Sequence, residues 1–121
     1  MGTIVITGSA SGIGAATRAT VESGGHDVIG VDLYDAEITT DLSEASRRTA
    51  AVAEVLDRCD GVLDGLVTCA GVGPPFDPAR MLTINWFGTE CFLTGLRPAL
   101  AASTGIARPS GWVCTASPLA T

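Results

Sequence analysis

The chain has 121 residues, enough for one α/β domain with one core, and 46% of them are hydrophobic. Its net charge of −6 argues against nucleic acid or an anionic membrane as partner, because neither attracts an acidic surface. No apolar run approaches the ~20 residues of a membrane span, and no signal peptide is visible. The four cysteines lack CxxC spacing, which favours free thiols in a reducing cytoplasm over disulfides or a metal site.

The first elements are a strand, a glycine-rich turn and a helix. The strand is predicted over Thr3–Thr7, and the helix from about Gly12 to Ser23, with a buried face of Ile13, Ala16, Thr20 and Val21. Gly8 lets the chain turn off the strand, Gly12 leaves room for a pyrophosphate, and Gly14 lets the helix approach the sheet. Unpaired N–H groups at the helix N-terminus attract phosphate. The turn therefore predicts a dinucleotide-binding loop, with Ser11 and Ile13 as further candidate contacts.

A carboxylate follows at the spacing that such a loop requires. The second strand is predicted over Asp27–Asp32, and Asp32 stands 18 residues after Gly14. A carboxylate there can accept hydrogen bonds from both adenosine ribose hydroxyls, and it repels a 2′-phosphate. Leu33, the next candidate contact, supplies no cation, and Arg18 is interpreted as a solvated helix residue. These features predict NAD rather than NADP, although Asp32 could instead be a solvated strand end.

The rest of the chain continues the alternation of strands and helices. A short third strand is predicted over Ala36–Thr40, and Ser43 is predicted to cap a helix whose buried face holds Val52, Val55, Leu56 and Cys59. A fourth strand over Gly65–Ala70 precedes a long helix, Pro78–Ser103, capped by Asp77, with apolar positions Met81, Ile84, Phe87, Phe92, Leu93, Leu96 and Leu100. A fifth strand is predicted over Trp112–Ala116. This alternation predicts a Rossmann-type, doubly wound parallel sheet of order β3-β2-β1-β4-β5, with the nucleotide between strands one and four.

The cofactor motifs resemble the N-terminal half of the short-chain dehydrogenase/reductase family, along the whole length of the chain. Thr7–Gly14 resembles the family's TGxxxGxG loop, and Asp32 resembles its ribose-binding acid. Asp41-Leu42 resembles the pair that contacts the adenine. Cys69-Ala70-Gly71 resembles the end of its Asn-Asn-Ala-Gly motif, although Thr68 and Cys69 replace both asparagines.

The same resemblance assigns part of a catalytic tetrad. It implies that Asn85 and Ser117 are the tetrad's asparagine and serine. From the residues alone, Asn85 could be a helix-surface amide and Ser117 a strand-end serine. The family's tyrosine and lysine would lie beyond Thr121, because the chain contains no lysine and its one tyrosine is Tyr34. The resemblance thus implies a single incomplete domain over residues 1–121, truncated after strand five.

Within the family, the chain is similar to bacterial 3α-hydroxysteroid dehydrogenases/carbonyl reductases. The matching runs are Gly12–Ala16, Gly25-His26, Asp41-Leu42-Ser43 and Leu63–Val67. This similarity implies an NAD-dependent oxidoreductase that interconverts a secondary alcohol and a ketone, and a homodimer or homotetramer in the full-length form. A non-catalytic NAD-binding sensor or regulatory module is the alternative, because such a protein would keep the glycine loop and Asp32 without tyrosine and lysine.

Overall fold

The computed structural model describes residues 2–72 and 75–103, together with the backbone of 111–114. Five parallel strands form one sheet in the order β3-β2-β1-β4-β5. This is the Rossmann-type arrangement predicted from the sequence, with helices over both faces of the sheet. The elements are β1 (Thr3–Thr7), α1 (Gly12–Ser23), β2 (Asp27–Asp32), β3 (Ile38–Thr39), α2 (Ala45–Arg58), β4 (Gly65–Thr68), α3 (Pro78–Leu82), a π-helical turn (Thr83–Gly88), α4 (Thr89–Ala101) and β5 (Gly111–Cys114).

The hydrophobic core lies between one face of this sheet and helices α2 and α4. In the central strand, Val5 pairs with Ile29 of β2 and with Leu66 of β4. These three residues belong to a cluster of buried side chains that also contains Val31, Val52, Val55, Leu63, Phe92 and Leu96. Removing this apolar surface from water stabilises the sheet and holds the carboxyl ends of its strands in place.

Helix α1 lies on the opposite face of the sheet, in an orientation that the sequence did not predict. Ile13, Ala16 and Thr20 were expected to be buried, and this prediction is wrong: Ile13 is 57% exposed, and the other two are exposed. The buried residue of the helix is Gly14, where a Cβ would collide with the backbone of the preceding loop. Residues four apart share a helix face, so this close approach directs Gly14 and Arg18 toward the sheet. As a result, Ile13 and Ala16 face away from the sheet and are exposed.

Two strands are shorter than predicted because side chains replace their backbone partners. β3 covers Ile38–Thr39, and the N–H of Gly30 beside it donates instead to the carboxylate of Glu37. β4 ends at Thr68 rather than Ala70, because the N–H of Ala70 donates to the hydroxyl of Thr7 at 3.2 Å. β5 begins at Gly111, and the predicted continuation to Ala116 lies outside the described residues.

Helix α2 begins later than predicted. Its N-cap is Glu44, whereas Ser43 was expected in that position. Both the N–H and the hydroxyl of Ser43 point back to Oδ1 of Asp41, at 2.9 and 2.7 Å. The Asx-type turn orients the Ser43 side chain toward Asp41, and α2 begins after Glu44 without a side-chain cap. The predicted buried face is present, since Val52 and Val55 are buried and Cys59 packs against the core.

The long helix begins as predicted, but a π-helical turn interrupts it. Asp77 caps it by accepting the N–H of Arg80 at 2.9 Å, and the last helical residue is Ala101. Of the predicted apolar positions, Phe92 and Leu96 are fully buried, whereas Phe87 is 44% exposed. A π turn adds a residue to the helix and shifts the phase of its faces. The apolar spacing before and after the turn therefore does not define one face.

Candidate functional site

A cleft of about 760 Å³ opens at the carboxyl ends of the strands, beside the switch point between β1 and β4. All residues predicted to contact a cofactor line it: Gly8, Ser11, Gly12, Ile13, Gly14, Asp32, Leu33, Asp41, Leu42, Cys69, Ala70 and Gly71. Asn85 lines the same cleft. The second candidate catalytic residue, Ser117, lies outside the described residues. The fold thus brings five separated segments of the chain to one concave surface.

The glycine loop joins β1 to α1 along one wall of the cleft. Gly8 has φ +73°, and its N–H donates to the carbonyl of Val31 at 2.8 Å. Gly12 has φ +57°, and a Cβ built there would meet nothing within 4 Å, because this position faces the open cleft. Ser11 is the N-cap of α1, but its side chain makes no capping hydrogen bond. The first N–H groups of the helix are therefore directed at the cleft without a competing side-chain acceptor.

Asp32 stands at the end of β2 with its carboxylate fixed by backbone donors. Its Oδ2 accepts the N–H of Ala10 at 2.9 Å, and its Oδ1 accepts the N–H of Leu33 at 2.6 Å. The first bond ties the acid to the glycine loop, so the two predicted parts of the site are physically connected. Each carboxylate oxygen retains lone pairs that can accept a hydrogen bond from a ligand hydroxyl.

Asp41 and Leu42 form the next part of the rim. Hydrogen bonds from Ser43 hold the pKa of the Asp41 carboxyl below its usual range. Leu42 is buried, and its carbonyl accepts a hydrogen bond from Arg48 at 2.9 Å. This part of the rim is therefore fixed by hydrogen bonds on both sides.

The described lining of the cleft is acidic. It contains two carboxylates, Asp32 and Asp41, and none of the described lining residues is arginine, lysine or histidine. Among the described lining residues, a polyanionic group would find compensating charge at the N–H groups and positive dipole end of α1. The charge distribution therefore favours a ligand with one anionic segment at the helix N-terminus and neutral hydroxyls near Asp32.

The segment after β4 forms the opposite wall and is tied to the long helix by Asn85. The Asn85 side chain accepts the N–H of Val72 at 2.7 Å and donates to the carbonyl of Val72 at 2.9 Å. Its own backbone carbonyl, inside the π turn, accepts the hydroxyl of Thr89 at 2.9 Å. A Cβ on Gly71 would lie 3.1 Å from Oδ1 of Asn85. Asn85 is thus a half-buried amide whose oxygen and nitrogen are both hydrogen-bonded to Val72.

Sequence reasoning missed three residues that shape this site, Glu37, Val72 and Thr89. It also misjudged Arg18, which is not simply solvated but forms a bidentate ion pair with Glu37. Hydrogen bonds from Arg18 and Gly30 hold the pKa of the Glu37 carboxyl at about 2. One signal could have found this contact, because an isolated glycine inside a strand often marks the close approach of another group, here at Gly30.

Two further classes of site have no support in the described part of the chain. No three or more of its His, Cys, Asp and Glu side chains are grouped so that they could hold a metal ion. None of its helices combines the length and apolarity needed to cross a membrane.

The chain is similar in sequence and fold to several known dehydrogenases. The chain is 46% identical, over 83% of its length, to 3-alpha-hydroxysteroid dehydrogenase/carbonyl reductase of Comamonas testosteroni. It is 35% identical, over 78% of its length, to coniferyl-alcohol dehydrogenase of a Pseudomonas species. A crystal structure of 3-alpha-hydroxysteroid dehydrogenase from another Pseudomonas strain, complexed with NADH, superposes on 93% of the chain with a TM-score of 0.78 and 46% identity.

These matches cover only part of the relatives. The chain spans 39% and 40% of the two curated proteins and 46% of the solved one. No family model matches the chain.

Proposed function

We propose that this chain, which belongs to the short-chain dehydrogenase/reductase family, binds NAD in the cleft. We further propose that it forms the cofactor-binding part of an oxidoreductase for secondary alcohols and ketones. The observation that carries the proposal is the convergence of the glycine loop, Asp32 and Cys69–Gly71 on one cleft at the switch point. The similar 3-alpha-hydroxysteroid dehydrogenase was crystallised with NADH, which supports the choice of cofactor.

The residues of the cleft fit the successive parts of NAD. The pyrophosphate would lie against the N-terminus of α1, over Gly12, where a side chain would fill the open space. Asp32 would accept hydrogen bonds from the adenosine ribose hydroxyls. Asp41 and Leu42 would contact the adenine, as the family resemblance implies. Cys69, Ala70 and Gly71 would line the path toward the nicotinamide.

The proposed reaction needs both a hydride acceptor and a proton acceptor. NAD, when bound, supplies the acceptor for the hydride that leaves the alcohol carbon. The hydroxyl proton must pass to a base, a role that the family gives to a tyrosine assisted by a lysine. The chain has no lysine, and its tyrosine, Tyr34, follows Asp32 at the adenosine end of the cleft. Asn85 would position the wall beside the reacting centre, and Ser117 would polarise the carbonyl oxygen, but neither supplies the proton step.

The described cleft wall suggests an apolar substrate. Leu82 and Trp86 of the long helix line the cleft and are 55% and 63% exposed. Together with the similarity to a hydroxysteroid dehydrogenase, this supports a bulky apolar hydroxy compound as substrate. We also propose a homo-oligomer in the full-length form, because Trp86 and Phe87 expose apolar surface on the helix that pairs subunits in this family.

Calorimetric titration with NAD and with NADP tests the proposed function. We expect NAD to bind more tightly, because repulsion between Asp32 and a 2′-phosphate is worth on the order of 1–3 kcal/mol in a partly exposed site. That difference corresponds to a ratio of Kd values of roughly fivefold to 150-fold. NADP binding as tight as NAD binding would contradict the assignment of Asp32, and binding of neither cofactor would contradict the function.

The alternative, an NAD-binding sensor without catalysis, rests on one sequence fact. The chain lacks lysine, and its single tyrosine stands at the adenosine end of the cleft. Both functions require the same NAD affinity, so binding does not separate them. Turnover of a secondary alcohol by the longest natural form of the protein does, since a sensor would bind NAD without reducing it.

A further inference from the structure

Arg18 and Glu37 form an ion pair of unusually well-defined geometry. The guanidinium donates from Nη1 to Oε1 at 2.8 Å and from Nη2 to Oε2 at 2.7 Å. Oε1 of Glu37 also accepts the N–H of Gly30 at 2.7 Å. Parallel double hydrogen bonds of this kind are among the stronger polar contacts in proteins and fix both side chains in one orientation. Arg18, with a side chain 22% exposed, is thus held against β2 rather than extended into solvent.

The pair lies directly behind the ribose-binding acid. Gly30 and Asp32 are two residues apart on β2, so their side-chain positions share one face of the sheet about 7 Å apart. A Cβ on Gly30 would lie 2.6 Å from Nη1 of Arg18 and 3.0 Å from Oε1 of Glu37. The ion pair, together with Oγ of Ser9, which lies nearest to that Cβ, therefore occupies the place of the missing Gly30 side chain. It stands next to Asp32 on that face, just outside the lining of the cleft.

This position gives Arg18 an electrostatic effect on the cleft. A single positive charge about 10 Å from a doubly charged 2′-phosphate attracts it by roughly 1 kcal/mol at an effective dielectric constant near 60. That attraction would offset part of the repulsion from Asp32. Glu37 removes most of it, because the two opposite charges of the pair cancel at this distance. It also holds both terminal nitrogens of Arg18 at 2.8 and 2.7 Å, whereas Glu22 accepts only from Nε at 3.4 Å, so Glu37 supplies the shorter contacts that restrain the guanidinium.

We infer that Glu37 is a second determinant of cofactor choice, which keeps NADP excluded by neutralising and restraining Arg18. Asp32 rejects the 2′-phosphate directly, and Glu37 prevents the nearby cation from compensating that rejection. The inference rests on the proposed function, in which the cleft binds NAD.

The test compares Kd values for NAD and NADP in a low-salt buffer. Glu37→Gln keeps the shape of the side chain and an oxygen for Gly30, and it removes the charge. We expect the ratio Kd(NADP)/Kd(NAD) to fall about threefold to tenfold, with the Kd for NAD changed less than twofold. The double variant Arg18→Gln/Glu37→Gln should restore the original ratio, because the freed cation is gone.

Glu54→Gln is the matched control. It makes the same change of charge in another ion pair, where Glu54 accepts from Arg58 at 2.9 Å. That pair is on α2, over the opposite face of the sheet from α1. Arg58 also donates from Nη2 to the backbone carbonyl of Glu37 at 3.2 Å, and Glu54→Gln keeps both of these groups. We expect its cofactor ratio to equal that of the parent chain, which separates a local effect of Glu37 from a general effect of net charge.

The other possible results each overturn either the inference or the proposed function. An unchanged ratio in folded Glu37→Gln overturns the inference, and so does an equal loss of affinity for both cofactors, which a purely structural role would produce. If circular dichroism shows that Glu37→Gln is unfolded, the single variant Arg18→Gln provides the test instead. It leaves the extra carboxylate uncompensated, so the ratio should rise, and a constant ratio overturns the inference. A parent chain that binds neither cofactor overturns the proposed function itself, a result distinct from all of these.

Discussion

Three glycines of the loop meet different physical requirements, although they belong to one motif. Gly14 is required by the carbonyl of Gly8, which leaves no room for a Cβ. Gly8 combines φ +73° with backbone contacts, since a Cβ there would lie 2.8 Å from the nitrogen of Ala70. Gly12 has φ +57° but open space around it. Gly12 is therefore the glycine of the three where packing leaves room for a side chain, as the proposed pyrophosphate site requires.

The variant Gly12→Val tests that difference. We expect it to abolish NAD binding while the chain stays folded, because the side chain would project into the volume of the pyrophosphate. Gly61→Val is the matched control: Gly61 has φ +75° and also nothing within 4 Å of a built Cβ, but it is not a cleft residue. Both variants should lose about 1–2 kcal/mol of stability to backbone strain, measured by urea unfolding. Retained NAD affinity in folded Gly12→Val would show that Gly12 does not face the phosphates.

Between elements, α4 packs against α2 at a glycine. A Cβ on Gly95 of α4 would lie 2.5 Å from Cγ1 of Val52 on α2. Val52 is buried, and its branched side chain has few alternative rotamers. The separation of the two helices therefore depends on this pair of residues, and with it the position of the wall that carries Asn85.

Gly95→Ala separates helix propensity from packing. Alanine would favour the helix by about 1 kcal/mol, but the overlap with Val52 should outweigh this and destabilise the chain by about 1–3 kcal/mol. In a Val52→Ala background the overlap disappears, and the same substitution should become stabilising. Urea unfolding of the four proteins of this cycle gives the coupling energy. Additive effects would contradict the contact.

A second contact between elements joins α1 to β2 through Glu37, whose ionised carboxylate accepts hydrogen bonds from Arg18 and Gly30. Its pKa of about 2 in the folded chain lies below the ordinary value of 4.5. Between these two pKa values the unfolded chain binds more protons than the folded one. The contribution of Glu37 to the free energy of unfolding is therefore complete above pH 4.5 and is lost as the pH falls toward 2. The shift corresponds to roughly 3 kcal/mol by linkage, which screening at a carboxylate 35% exposed reduces to about 1 kcal/mol.

Acid titration of stability checks this expectation. The difference in unfolding free energy between the parent chain and Glu37→Gln should be largest near neutral pH and should shrink between about pH 5 and pH 2. Glu54→Gln, in an exposed single pair with Arg58, should differ little from the parent chain throughout. A pH-independent gap for Glu37→Gln would mean that its charge does not contribute.

At the scale of the whole molecule, the parallel sheet assembles the site. Every strand ends at the same edge, so the loop after β1, the acid of β2, the rim after β3 and the segment after β4 meet there. The described residues of the proposed NAD site therefore all lie at this one edge of the sheet. This arrangement does not by itself provide the proton acceptor that alcohol oxidation needs.

We therefore predict that the 121-residue chain binds NAD but forms no NADH from secondary alcohols. Loss of a positioned proton acceptor removes about 10²–10⁴-fold in rate, and the lysine that positions the nicotinamide ribose is missing as well. Absorbance at the NADH band, with the intact mass of the protein confirmed, measures this. Steady NADH production by the chain would show that the family's tyrosine and lysine are dispensable here.

Local chemistry along the sequence determined much of this protein by itself. The bounds of β1, α1 and β2 and the strand order are as predicted, because apolar periodicity and glycine turns act over a few neighbouring residues. The cofactor candidates line one cleft for the same reason, since their motif specifies both the turn and its neighbours.

Only the tertiary structure decided which groups meet across the sheet. Arg18 and Glu37 are 19 residues apart, and Val72 and Asn85 are 13 apart, so no local pattern connects either pair. The buried face of α1 was decided by the close approach of Gly14 to the backbone of Gly8, where no Cβ fits. The π turn decided which residues of the long helix share a face. These features arise because side-chain partners are chosen by packing between distant elements, which local propensity does not encode.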